Sequence, residues 1–269
     1  MPARLHHERV AHSGSTPSRW MLLTHGIFGA GMNWRGIARK LVDRRREWGV
    51  VLVDLRLHGR SEAGASPHTL AACAEDVRAL IAELGGVAVL AGHSFGGKVM
   101  AVTRNLVEVQ QTYLLDSTPS ARPSLIDDPH NSVGRVLALL ARAPRRFGKR
   151  EEFVELVKAD GHDAGLGQWL AMNLVPDTSG ELVMRLDPDG LRELLVDYYS
   201  RDLWDALRDP RRGDVELVIA DRSSTFSDAD RAQLPALPPH IHVHHIDAGH
   251  WLHIEAPDAV LELFARTLP

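Results

Sequence analysis

The feature that most constrains this chain is a series of short apolar runs with no polar face. Trp20 to Thr24 (WMLLT), Val50 to Asp54 (VVLVD), Val87 to Ala91 (VAVLA) and Thr112 to Asp116 (TYLLD) are apolar at nearly every position. A strand with one face in water alternates apolar and polar side chains, whereas a strand covered on both faces need not. Such runs, separated by stretches of helical period, predict a mostly parallel central sheet with helices on both faces, wound by right-handed crossovers. Leu70, Cys73, Val77, Leu80 and Leu84 share one helical face between the second and third runs, and Gly85-Gly86 stops that helix.

From Pro119 to Gly213 the alternation ceases. Helical patterns at Val133 to Ala141 and Glu151 to Ala159 are punctuated by Pro144, Pro176, Pro188 and Pro210. The expectation is an α/β core made of residues 1–118 and 214–269, with residues 119–213 as a helical cap inserted between two late strands. Val215 to Ala220 (VELVIA) and Ile241 to Ile246 (IHVHHI) resume the sheet, and the amphipathic stretch Pro257 to Leu268 closes the chain. Arg4 to Val10 and Ala11 to Arg19, with Gly14 and Pro17 between them, read as a weak hairpin at the sheet edge.

Composition excludes several classes of function. A chain of 269 residues with 44% hydrophobic content can bury enough surface to fold without metal or disulfide staples. Its single cysteine, Cys73, rules out an internal disulfide and favours a reducing compartment. No apolar run approaches the roughly 18 residues of a membrane span, and the opening MPARLHHERV lacks an apolar signal core, so a cytoplasmic protein is expected. The net charge of −4, with cations scattered among acids, offers no stripe for phosphates, and nucleic acid is not an expected partner. Oligomeric state is left open.

Chemistry enters at Gly92-His93-Ser94-Phe95-Gly96, which follows the run VAVLA directly and opens a helix-compatible stretch, Gly97 to Leu106. Strand, sharp turn and helix are the context of a nucleophile elbow. Glycines two positions either side of Ser94 let two backbones pass closely while the serine hydroxyl stands above the sheet.

With this motif the sequence resembles the α/β-hydrolase superfamily over nearly its whole length. His25-Gly26-Ile27-Phe28-Gly29 follows the first buried run as that family's oxyanion loop does, with Trp34 beyond it. Asp54-Leu55-Arg56-Leu57-His58-Gly59-Arg60-Ser61 resembles the turn after the next strand, with Leu57 where many members have Gly. Gly249-His250-Trp251, followed by Glu255-Ala256-Pro257-Asp258, resembles the catalytic histidine loop. Small intracellular serine esterases are especially similar.

A serine hydroxyl needs an imidazole base, which in turn needs a carboxylate to fix its tautomer. The resemblance implies His250 as base and the backbone N–H groups of Ile27 and Phe95 as oxyanion donors, Phe28 being the fallback for the first. The acid has two candidate sites. At the later one, Ala220-Asp221-Arg222-Ser223 places Ser223 where a carboxylate would stand; at the earlier one, Asp116 ends the run TYLLD. Asp116 is preferred, with Asp228 and Asp221 as alternatives. His240, His242, His244 and His245 make a metal site conceivable, but ligand sets converge from several elements, so neither metal nor cofactor is expected. Arg56 and His58 should brace their turn, and His25 should bond within its loop.

The implied activity is hydrolysis of a small-molecule acyl ester through an acyl-enzyme. C–C bond hydrolase, thioesterase, lactonase and amidase chemistry are open to the same machinery. A rival of another class is a non-catalytic ligand receptor or scaffold on this fold.

Overall fold

A computed structural model describes residues 1–269. Ten strands are present: β1 (His7–Val10), β2 (Arg19–Thr24), β3 (Trp48–Val53), β4 (Val89–His93), β5 (Gln111–Leu115), β6 (Arg146–Phe147), β7 (Leu174–Pro176), β8 (Leu182–Met184), β9 (Asp214–Ala220) and β10 (Ile241–Ile246). The helices are α1 (Arg35–Arg44), α2 (Leu70–Leu84), α3 (Phe95–Thr103), α4 (Ser132–Arg142), α5 (Arg150–Ala159), α6 (Ala164–Leu170), α7 (Pro188–Ser200), α8 (Trp204–Leu207), α9 (Asp228–Gln233), α10 (Leu252–Glu255) and α11 (Pro257–Thr267). None is long and apolar enough to cross a membrane.

Seven strands form the main sheet in the order β1-β3-β2-β4-β5-β9-β10. All neighbours run parallel except β1, which is antiparallel to β3. The pleat sends alternate side chains to opposite faces. Leu22, Val51, Val53, Leu90, Leu114 and Leu217 therefore join one apolar layer, while Met21, Leu23, Val50, Leu52, Val89 and Tyr113 join the other with Leu41 of α1 and Phe264 of α11. This two-sided burial is why the runs carry no polar face.

The chain departs from the sequence reading in two places. Arg4 to Val10 and Ala11 to Arg19 form no hairpin: β1 pairs with β3 instead, His7 opposite Val53 and Val10 opposite Val50. The outer edge of β3 would otherwise expose unpaired backbone groups, and β1 covers it. Residues 119–213, expected to be helical, also contain a three-stranded antiparallel sheet of order β6-β8-β7. Strands of two or three residues are too short to show a period of two. The apolar residues of this segment, among them Phe153, Leu170, Met184 and Leu194, continue the first layer of the main core.

Candidate active site

Four non-glycine residues adopt positive φ, namely Phe28 (66°), Leu57 (65°), Ser94 (52°) and Asp116 (43°). Each lies in the turn just after a parallel strand, respectively β2, β3, β4 and β5. Left-handed backbone is costly for residues with a side chain, and its concentration along one edge of the sheet marks that edge as the place where local strain is maintained.

Ser94 occupies the turn between β4 and α3. Its N–H donates to Leu115 O at 3.0 Å, and its carbonyl accepts from Ser117 Oγ at 2.6 Å. The flanking glycines are sterically required: a Cβ on Gly92 would lie 2.2 Å from Gly96 O, and one on Gly96 would lie 2.5 Å from His25 O. Held this way, Ser94 Oγ stands 3.0 Å from His250 Nε2. The other ring nitrogen, Nδ1, lies 2.7 Å from Asp116 Oδ2. Asp116 is fully buried; its other oxygen accepts from Ala220 N–H at 3.2 Å, and its own N–H donates to Val218 O at 2.8 Å, both on β9.

The neighbouring loops leave two backbone donors free. Neither Ile27 N–H nor Phe95 N–H has an acceptor within the chain, and both residues line the same cavity as Ser94. Phe28 N–H, the fallback donor, is instead engaged: it donates to His58 Nε2 at 3.2 Å. Burial, with His25 nearby, lowers His58 to about 3, so Nε2 stays an acceptor while Nδ1–H donates to Arg56 O at 2.8 Å. His25 is lowered by burial to about 4; its Nδ1–H donates to Gly26 O at 2.7 Å and its Nε2 accepts from Leu55 N–H at 3.1 Å. The cavity, of about 720 Å³, is lined by Ser94, His250 and Phe28 from the sheet edge and by Val136, Trp169 and Tyr198 from residues 119–213.

The model of the Alpha/beta hydrolase family matches residues 21–263. The chain belongs to that family. Among curated relatives, the sn-1-specific diacylglycerol lipase ABHD11 of Xenopus tropicalis is 30% identical over 259 residues, covering 91% of this chain and 76% of that protein. Esterase YbfF of Escherichia coli is 27% identical over 256 residues, covering 92% of each. Among solved structures, a marine microorganism esterase superposes with a TM-score of 0.81 at 22% identity, covering 97% of this chain and 98% of that one.

Within this α/β hydrolase, the alternative acids do not reach the imidazole. Asp221 is exposed and pairs with His245 Nδ1 at 2.7 Å, and Asp228 is an exposed first-turn residue of α9. The histidines in and just before the last strand do not converge either. His240 donates to Leu207 O, His244 bonds Glu216, and no group of three ligand side chains is placed to hold a metal ion.

Several contributors were passed over in the sequence. His93, the second residue of the elbow motif, donates from Nε2 to His250 O at 2.7 Å, and its ring lies 4.8 Å from that of His250. Burial holds it well below its ordinary value, hence neutral. Its adjacency to Ser94 was the available signal. Lys98, one turn into α3, donates to the carbonyls of Ser120, Tyr198 and Arg201 at 2.8, 2.9 and 2.7 Å and is lowered to about 8 by burial. A lysine flanked by Gly97 and Val99 carries no such signal.

Proposed function

We propose that this α/β hydrolase is a serine esterase that cleaves a carboxylic ester through an acyl-enzyme, with Ser94 as nucleophile, His250 as general base and acid, and Asp116 as the carboxylate partner of the imidazole. The observation that carries the reading is the unbroken line from Ser94 Oγ to His250 Nε2 at 3.0 Å and from His250 Nδ1 to Asp116 Oδ2 at 2.7 Å. Residues 119–213 act as a cap that supplies the outer wall of the cavity. The lipase and esterase relatives support an ester as the scissile bond.

In the acylation step Ser94 Oγ adds to the ester carbonyl carbon as His250 Nε2 takes the hydroxyl proton. The carbonyl oxygen becomes an oxyanion and is received by the free N–H groups of Ile27 and Phe95, which need no reorganisation to meet it. The imidazolium is stabilised by buried Asp116, which also fixes the tautomer with hydrogen on Nδ1. His250 then returns its proton to the departing alkoxide, the C–O bond breaks, and the alcohol leaves. Water repeats the sequence on the acyl-Ser94 ester, giving the acid and regenerating the hydroxyl.

The test is covalent labelling by a fluorophosphonate together with turnover of short p-nitrophenyl esters. Wild-type protein should take up one label at Ser94 and hydrolyse the ester, and Ser94→Ala should lose both while keeping its circular dichroism spectrum. A folded Ser94→Ala variant with substantial turnover would refute the serine mechanism. An unlabelled, inactive wild type would favour a ligand-binding role for the fold.

A further inference from the structure

We propose that Thr225 is a positioning residue for the imidazole of His250, a neutral second acceptor supplied by the loop after β9 where the later of the two acid positions lies. The inference rests on reading Ser94, His250 and Asp116 as the reacting triad.

Thr225 Oγ1 lies 3.2 Å from His250 Nδ1, the same nitrogen that Asp116 approaches at 2.7 Å. Ser223, the residue at the expected carboxylate position, does not reach the ring itself. It donates from Oγ to Thr225 Oγ1 at 2.9 Å and accepts Thr225 N–H at 3.2 Å. A hydroxyl oxygen has two lone pairs and one hydrogen. With one lone pair taken by Ser223, the other is available to Nδ1–H at 3.2 Å, so Ser223 leaves Thr225 able to accept from the imidazole. The loop is anchored independently: Phe226 is buried, and Thr225 O accepts from the Arg122 guanidinium, which is itself paired with Asp230 at 2.9 Å.

The hydrogen on Nδ1 is thus shared between a carboxylate and a hydroxyl. When Ser94 gives up its proton, Nδ1–H belongs to a cation and becomes a stronger donor, so both acceptors gain in the charged state. Other groups around the ring add little charge. Burial keeps His93 neutral and lowers His253 to about 4, and exposed Arg222 is engaged with Asp247 and Glu255. Thr225 cannot substitute for the carboxylate, but it restricts rotation of the ring and favours the imidazolium alongside it.

The experiment compares Thr225→Val, Thr225→Ser and Ser223→Ala with wild type, measuring kcat/KM for a short ester across neutral pH and thermal stability in parallel. Thr225→Val is close to isosteric and lies in a partly exposed loop, so folding should survive. Its plateau kcat/KM should fall about three- to tenfold, the size of one hydrogen bond. Its rising limb should move to lower pH, because the imidazolium has lost an acceptor while the neutral ring has lost less. Thr225→Ser should restore both, and Ser223→Ala should fall between. If Thr225→Val lowers thermal stability alone and leaves limb and plateau unchanged, Thr225 is structural and the proposal fails. That result, beside an inactive Ser94→Ala, would leave the esterase reading standing; an active Ser94→Ala would remove the triad on which the proposal depends.

Discussion

Asp116, at the end of β5, is fully buried and held by backbone groups of the adjacent strand β9, whereas Tyr198, which lines the cavity, stands on α7 within residues 119–213. At the sheet edge each side chain of the proposed triad follows a strand whose ladder fixes it, and cross-links such as Ser94 N–H to Leu115 O join neighbouring turns. The overlying segment meets the core through its apolar layer and a few polar tethers. Leu70 N–H donates to Asp197 at 2.9 Å, His68 N–H to Glu193 at 2.7 Å, and the Lys98 ammonium to three carbonyls. The proposed triad is placed by strands that cannot shift independently. Residues 119–213 supply part of the cavity wall, Val136, Trp169 and Tyr198 among it, and variation in such walls is how one fold serves many substrates.

The largest test of this division is removal of the buried charge. Asp116→Asn is nearly isosteric, yet it should lower kcat by up to about 10⁴-fold through loss of the negative charge and of the correct tautomer. Asp221→Asn and Asp228→Asn, each made at an exposed surface residue, should stay within about twofold of wild type, consistent with small surface effects. Initial rates of all three at one pH, with circular dichroism, check this. A nearly active Asp116→Asn would break the assignment of the carboxylate partner to the end of β5.

A second effect, on stability rather than on rate, concerns the histidines beneath that edge. His25, His58 and His253 are lowered by burial to about 4, 3 and 4, and His93 lies well below 6.5. Folded-state values below the unfolded one mean that the unfolded chain takes up protons the native chain refuses. Stability is therefore complete above about pH 6.5 and falls as the pH drops toward 4, by about 1.4 kcal/mol per pH unit for each such histidine. Urea titrations at pH 7.5, 6.5 and 5.5 should show the decline. Both ring nitrogens of His253 are buried without partners, so His253→Leu should sacrifice no hydrogen bond and should flatten the profile by one histidine's share. An unchanged slope would mean that His253 is not kept neutral by its surroundings.

The same contrast explains what the sequence disclosed. Runs such as VVLVD announced strands buried on both faces because the pleat leaves nowhere for a polar side chain, and the elbow glycines were legible because a Cβ cannot be accommodated there. Leu57, noted as standing where relatives often have Gly, turns out to hold φ at 65°, the conformation that glycine adopts freely. The proposed acid required long-range information, since Asp116 and His250 meet only because β5 and β10 flank β9. Thr225 left no signal because its contact with His250 joins residues distant in sequence and leaves no periodicity in the chain, and His93 was marked only by its adjacency to Ser94. The short strands of residues 119–213 were missed because β7 and β8 are stabilised by their mutual pairing and by core contacts rather than by local pattern.

A more modest loss of rate than that of Asp116→Asn is expected where the two regions touch. Asn173 is buried and donates from Nδ2 to Phe28 O at 3.0 Å and to Leu170 O at 3.2 Å. Phe28 is thus pinned twice, its N–H by His58 of the core and its carbonyl by Asn173 of the insertion, one residue after the free N–H of Ile27. Freeing the carbonyl should let the loop relax from its positive φ and blur the position of that donor. A donor misplaced only relative to the oxyanion weakens the transition state more than the bound ester. Asn173→Leu should therefore lower kcat about tenfold, equivalent to about 1.4 kcal/mol, with little change in KM. Asn173→Asp, which sets a carboxylate against a carbonyl and cannot donate, should be worse. Steady-state kinetics on a short and a bulky ester separate the possibilities: a fall in kcat common to both couples the insertion to the chemistry, whereas a rise in KM confined to the bulky ester would reduce the insertion to a binding wall.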